Sequence, residues 1–97
     1  MNEDVMFFRQ CIEKGYFTVD TVARLTNLDI ELVSDVLAGK KTLEVQHRKQ
    51  FCKGARKVRE LICKVKKIEL KKRHFNKIED EELRLEIAKN IIVSEGL

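Results

Sequence analysis

The chain contains no proline and only four glycines in 97 residues. Proline disrupts helix interiors more than any other residue, so a chain without it can continue a helix wherever its side chains favour one. Hydrophobic residues make up 43% of the chain, which is enough for a core. The sequence therefore predicts an all-α fold in a single domain, residues 1–97, rather than a strand-rich sandwich.

Capping residues divide the first half of the chain into three short predicted helices, over residues 3–14, 19–25 and 30–38. Their expected N-caps are Asn2, Thr18 and Asp29, whose side chains can accept from free backbone N–H groups. Gly15 and Gly39 are expected to end the first and third helices, since glycine adopts the left-handed conformation without strain.

Three more helices are predicted in the second half, which makes a compact bundle of about six. The fourth runs from Thr42 to Lys53, Gly54 marks a break or a tight bend, and a long basic fifth helix covers about residues 55–73. Asn76 and Glu79 form a plausible capping box for a sixth helix over about residues 77–93, which has an acidic start. The fifth and sixth helices are expected to form a C-terminal helical hairpin.

The net charge of +4 conceals a strong segregation along the chain. Residues 1–37 carry a net charge of −4, residues 38–78 carry +12, and residues 79–97 carry −4. Either the packed helices neutralise one another, or the basic segment offers a surface to a polyanion. The sequence leaves both arrangements open.

The segment from Thr18 to Gly39 holds two short helices that are too closely connected to lie side by side as a long hairpin. A steep crossing needs a small residue at the contact and a turn residue that tolerates positive φ, which Ala23 and Asn27 supply. The apolar contacts expected for such a pair would come from Val22, Leu28, Val33 and Val36.

On these residues the segment resembles the helix-turn-helix of the lambda-repressor/Cro-like family, and the order of the predicted helices over about residues 3–70 fits that family. The resemblance implies a small DNA-binding transcriptional regulator whose third helix enters the major groove of duplex DNA. It also implies that Lys40 and Lys41, just after the third helix, grip the DNA backbone. The predicted nucleic-acid-binding residues are Ser34, Lys40, Lys41, Thr42, Arg48, Lys49 and Lys53.

The third helix departs from this pattern in its charge. Asp29, Glu31 and Asp35 are three of the five side chains that would face DNA, and carboxylates beside phosphates oppose association. The alternative hypothesis is therefore an adaptor or inhibitor that uses this acidic face to bind a basic protein partner.

The sixth predicted helix has apolar residues over roughly 200° of its circumference, more than one neighbouring helix covers. If Leu83, Ile87 and Ile91 face the rest of the chain, then Leu85, Ala88 and Ile92 are left for another surface. That surface is either another subunit or the helix-turn-helix core. We expect these three residues to form the interface of a homodimer, with an entirely intramolecular core as the alternative.

The sequence offers little support for catalysis, a metal or a cofactor. It has no Gly-rich phosphate loop, no nucleophile elbow and no recognisable triad, so we expect a protein that is not an enzyme. The three cysteines show no C-x-x-C spacing and are expected to stay reduced. The longest strictly apolar run has four residues, and the acidic N-terminus is unlike a secretory signal, so we expect a cytoplasmic protein that does not enter membranes.

Overall fold

A computed structural model describes residues 2–69 and 77–97. The fold is all-α, as predicted, with no strand in the described part of the chain. The helices are α1 (Glu3–Glu13), α2 (Val19–Thr26), α3 (Ile30–Leu37), α4 (Val45–Lys66) and α5 (Glu81–Glu95). None of these helices is long and apolar enough to cross a membrane.

The first three helices lie within a residue or two of their predicted spans. Asn2 caps α1 by accepting from the Asp4 amide at 2.8 Å, and Asp29 caps α3 by accepting from the Glu31 amide at 3.1 Å. Thr18 stands at the N-cap of α2 but makes no capping hydrogen bond. Only three residues connect α2 to α3, and the first of them, Asn27, has the predicted left-handed conformation with φ 56°.

The predicted break at Gly54 is wrong, because α4 runs through it as one helix of 22 residues. A Cβ atom at Gly54 would lie 3.2 Å from the ring of Phe8 and 3.3 Å from the Leu25 carbonyl oxygen. The glycine therefore lets α4 approach α1 and α2 closely rather than ending a helix. Five helices, not six, are present in the described ranges.

The ends of α4 also differ from prediction. Thr42 does not open the helix, which begins at Val45 with Glu44 as its N-cap. At the other end, Lys67 takes a left-handed conformation (φ 57°), and the Ile68 amide donates to the Cys63 carbonyl at 2.8 Å. This closure ends α4 at Lys66, before the predicted residue 73; residues 70–73 lie outside the described ranges.

Aromatic rings from three parts of the chain meet in the core. Phe8 of α1 makes edge-to-face contacts with Phe17, at a centroid distance of 6.2 Å, and with Phe51 of α4, at 5.7 Å. α2 packs on α3 and α4, α1 packs on the same two helices, and α5 packs on α4. Buried valines and isoleucines, Val22, Val33, Val58, Ile87 and Ile91, fill the space between these helices.

α5 begins at Glu81, and Asp80 caps it by accepting from the Leu83 amide at 3.2 Å. The predicted capping residue Asn76 lies outside the described residues. Lys66 Nζ, at the end of α4, lies 3.4 Å from Glu95 Oε1, at the end of α5. The C-terminal ends of the two helices are therefore adjacent, so the pair is not the antiparallel hairpin that was predicted.

Candidate functional site

The turn between α3 and α4 presents a group of exposed polar side chains. Gly39 takes φ 80°, and the Lys40 and Lys41 amides both donate to the Asp35 carbonyl, at 2.8 and 3.2 Å. This closed turn leaves the side chains of Lys40, Lys41 and Thr42 exposed directly after α3. The local sequence dictates this arrangement, because glycine readily supplies the left-handed residue that such a helix end needs.

A cleft of about 560 Å³ lies beside this turn. The start of α1, the end of α3, the α3–α4 turn and the first turns of α4 form its walls. Its lining residues are Asn2, Val5, Val36, Gly39, Lys41, Thr42, Leu43 and Arg48. Three of the predicted DNA-binding residues, Lys41, Thr42 and Arg48, are thus brought together here.

The outer face of α4 carries a second group of cations. At about 100° per residue, Lys49, Lys53 and Arg56 lie opposite the buried Phe51 and Val58. All three are exposed. Lys49 and Lys53 therefore share a helix face with Arg56 but do not line the cleft. We call the exposed residues Lys40, Lys41, Thr42, Arg48, Lys49, Lys53 and Arg56 together the cationic surface.

Most of the cationic surface has no acidic partner. Five ion pairs occur in the described ranges, and of the cationic surface only Lys41 takes part in one, with its Nζ 3.6 Å from Asp35 Oδ2. Of these five pairs, the only one that joins α4 to α5 is Lys66–Glu95. Glu81 and Glu82, in the acidic first turn of α5, pair with no cation of α4 among the described residues. Among the described residues, ion pairing between α4 and α5 is thus confined to one end.

The acidic residues of α3 lie along a shallow groove of their own. Its lining is Ile30, Glu31, Ser34 and Asp35, and Ile30 is 44% exposed. We call it the α3 groove. Ser34, predicted to contact DNA, lies here among carboxylates rather than with the cations. Asp29, the N-cap of α3, adjoins the groove. It is exposed, and its carboxylate accepts a hydrogen bond from the Glu31 amide.

The outward side of α5 is partly apolar. Leu83, Ile87 and Ile91 are buried, whereas Leu85 is 59% and Ile92 42% exposed. Ala88 is half-buried against the core. Leu85 and Ile92 thus lie on the free side of the helix, as predicted, whereas Ala88, also predicted there, packs partly against the core. We call Leu85, Ala88 and Ile92 the α5 stripe.

Two titratable groups are buried away from these surfaces. Burial raises the pKa of Cys11 to about 12. Burial also raises the pKa of Tyr16 to about 12, with a further contribution from its hydrogen bond to Glu95. That bond in turn lowers the pKa of Glu95. These shifts follow from packing and not from a reactive cluster, and all three cysteines are free thiols.

The described residues contain no group of three or more His, Cys, Asp or Glu side chains that could hold a metal ion. Five lining residues of the cleft were not predicted as site residues from the sequence: Asn2, Val5, Val36, Gly39 and Leu43. Asn2 and Val5 could not be, because only the packing of α1 brings them to the start of α4. The position of Arg56 beside Lys53 and Lys49 on one helix face, by contrast, is predictable from the sequence, because Arg56 follows them by three and seven residues.

Comparisons with protein-family models, with curated proteins and with solved structures gave no match to this chain.

Proposed function

We propose that the protein binds duplex DNA through its phosphate backbone and acts as a small transcriptional regulator. The observation that carries this proposal is the cationic surface, on which five of the six charged side chains have no ion pair in the described part of the chain. Cations that are not neutralised within the protein can replace the counterions of DNA, and the release of those counterions drives association.

The pair formed by α2 and α3 supports the proposal as a helix-turn-helix. Both helices have eight residues, α2 packs on α3, and Ala23 is buried. The left-handed Asn27 gives the short turn that such a pair requires. The cationic surface begins directly after α3, where the resemblance to lambda-repressor-like proteins implies backbone contacts.

The acidic residues of α3 oppose close contact between this helix and DNA. Lys41 offsets the charge of Asp35, but Asp29 and Glu31 have no cation beside them among the described residues. Carboxylates at the DNA surface repel phosphates, so we assign most of the affinity to backbone contacts and little to base reading by α3. Such a protein would bind many sequences with similar affinity.

A second copy of the chain is part of the proposal. The α5 stripe leaves Leu85 and Ile92 exposed on a small protein, which favours association. A two-fold dimer would link two DNA contacts and raise the affinity through effective concentration.

The DNA proposal is tested by titrating a short fluorescent duplex at salt concentrations between about 50 and 200 mM. We expect the affinity to fall steeply with salt. Lys40→Glu combined with Lys41→Glu should weaken binding on all duplexes alike and reduce the slope of log affinity against log salt by about 2. No detectable binding at about 50 mM salt would contradict the proposal.

The matched control is Lys77→Glu combined with Lys89→Glu. These lysines are exposed and have no ion pair in the described ranges, and the double variant changes the net charge by the same amount. Because they lie outside the cationic surface, the control should retain most of the affinity. Equal losses in the two double variants would mean that net charge alone, and not this surface, determines binding.

The α3 groove favours a second candidate, an adaptor or inhibitor that binds a basic protein. Ile30 offers an apolar contact beside the carboxylates of Glu31 and Asp35, as a basic amphipathic segment would require. Neutralising the groove with Asp29→Asn and Glu31→Gln separates the two candidates, and asparagine remains an effective N-cap. If the protein binds DNA, this variant should bind the duplex several-fold more tightly than the wild type in the same titration. If its DNA affinity is unchanged and it no longer binds a basic peptide, the adaptor is supported.

A further inference from the structure

The cleft between α1, α3 and the start of α4 has the size and lining of a small-molecule site. Its volume of about 560 Å³ falls within the ~300–1,000 Å³ typical of such sites. Val5, Val36 and Leu43 are buried and give it an apolar floor. Sites for small molecules commonly combine such a floor with a few polar groups that orient the ligand.

The polar groups of the cleft favour an anion. Lys41 and Arg48 line it, and no acidic residue does. Among the described residues, the carboxylate that pairs with these cations is that of Asp35, which lies 3.6 Å from Lys41 Nζ but belongs to the α3 groove. Asn2 accepts from the Asp4 amide through Oδ1, so its side-chain N–H groups remain available as donors, as does the Thr42 hydroxyl.

We propose that this cleft binds a small organic anion, with its apolar body on the floor and its acidic group toward Lys41 and Arg48. The chemical class is a carboxylate, sulfonate or phosphate attached to a hydrophobic group. An inorganic anion would fill little of a cleft of about 560 Å³, and a neutral molecule would leave Arg48 without a counter-charge.

Occupation of the cleft has a consequence for DNA binding, which rests on the proposed function. Lys41, Thr42 and Arg48 belong both to the cleft and to the cationic surface. An organic anion held there would compete with DNA phosphates for the same side chains. The binding test below contains no DNA, so its result is independent of whether the protein binds a duplex.

The test compares two fluorescent probes that differ in one group, 1-anilinonaphthalene-8-sulfonate and the neutral N-phenyl-1-naphthylamine. We expect the sulfonate to bind with a stoichiometry of one and at least tenfold more tightly than the neutral probe. Amide chemical shifts should change around Val5, Val36 and Leu43. Equal affinity for the two probes, or shift changes confined to the α5 stripe, would overturn the proposal.

Variants locate the site. Lys41→Gln combined with Arg48→Gln should weaken sulfonate binding at least tenfold, whereas the matched pair Lys49→Gln and Lys53→Gln, outside the cleft, should leave it within twofold. Asp35→Asn should tighten binding, because it frees Lys41 from its present partner. Circular dichroism checks that the variants are folded; equal effects from the two glutamine pairs would mean that the anion is not held in the cleft.

Discussion

At the scale of single residues, Gly54 has the clearest structural role. A methyl group at this position would meet Phe8, the methyl group of Thr26 and the Leu25 carbonyl oxygen, all within 3.3 Å. We expect Gly54→Val to lower the free energy of unfolding by about 1–3 kcal/mol or more, since overpacking forces neighbouring groups to move. Urea denaturation followed by circular dichroism measures the change.

The control for Gly54 is Lys53→Val, which places the same side chain on the neighbouring exposed position of α4. A surface substitution of this kind should change stability by no more than about 0.5 kcal/mol. If the two variants were equally stable, the close approach of α4 to α1 and α2 would not restrict the side chain at position 54.

The raised pKa values of Tyr16 and Cys11 predict that the folded protein loses stability at alkaline pH. Their pKa values in the folded protein rise to about 12, from 10.0 and 9.0 respectively, mainly because both are buried. A raised folded-state pKa means that the folded protein holds its protons longer than the unfolded chain does. The stabilisation is therefore complete below pH 9 and is lost as the pH rises toward 12.

The sole tyrosine of the chain makes this prediction directly measurable. Tyrosinate absorbance should appear near pH 12 in the folded protein, and Tyr16→Phe should flatten the decline in stability above pH 10. The same variant should also lose less stability in acid. In the wild type, the hydrogen bond from the Tyr16 hydroxyl lowers the pKa of Glu95. The stabilisation that this gives is lost as the pH falls through the folded-state pKa of Glu95. A folded-state tyrosine titration near pH 10 would contradict the prediction.

At the scale of helices, the sequence predicts those features whose causes are local. The caps Asn2 and Asp29 bond to amides two residues away, and Asn27 and Gly39 take their left-handed conformations within single turns. Gly54 could not be interpreted in this way, because its neighbours Phe8 and Leu25 are distant in sequence. The end of α4 at Lys67 was missed because lysine is not a typical left-handed residue.

The candidate site, too, could be predicted from the sequence only where its causes are local. Its cations were recognised from composition and from their position after α3, but the cleft depends on α1 packing beside α3 and α4. No local pattern links Asn2 to Arg48. Likewise, the grouping of Ser34 with Glu31 and Asp35 follows from their shared helix face and separates Ser34 from the lysines with which it was predicted.

In the molecule as a whole, ion pairs join both ends of α5 to other parts of the chain without neutralising the basic segment. Arg24 Nη2 lies 2.8 Å from Asp80 Oδ2 at the start of α5, and Lys66 meets Glu95 at its end. The Asn90 side chain adds a hydrogen bond of 3.0 Å to the Tyr16 carbonyl. α5 is thus fixed at both ends, and its acidic and apolar outer positions remain available to a partner.

The α5 stripe is proposed to bind a second copy of the chain. Leu85→Glu combined with Ile92→Lys should convert a dimer into a folded monomer, because the two substitutions place charges on an interface that needs apolar contact. Helix content should be retained, since both side chains are exposed. Affinity for DNA should fall, because two linked contacts become one.

Light scattering, circular dichroism and the DNA titration measure these three quantities. Val93→Lys is the matched control: Val93 is 73% exposed, but it lies about 100° around α5 from Ile92 and so outside the stripe. It should leave the dimer intact. A wild-type protein that is already monomeric at high concentration would remove the dimer from the proposed function, whereas loss of helix content in the double variant would assign the stripe to the core of a single chain.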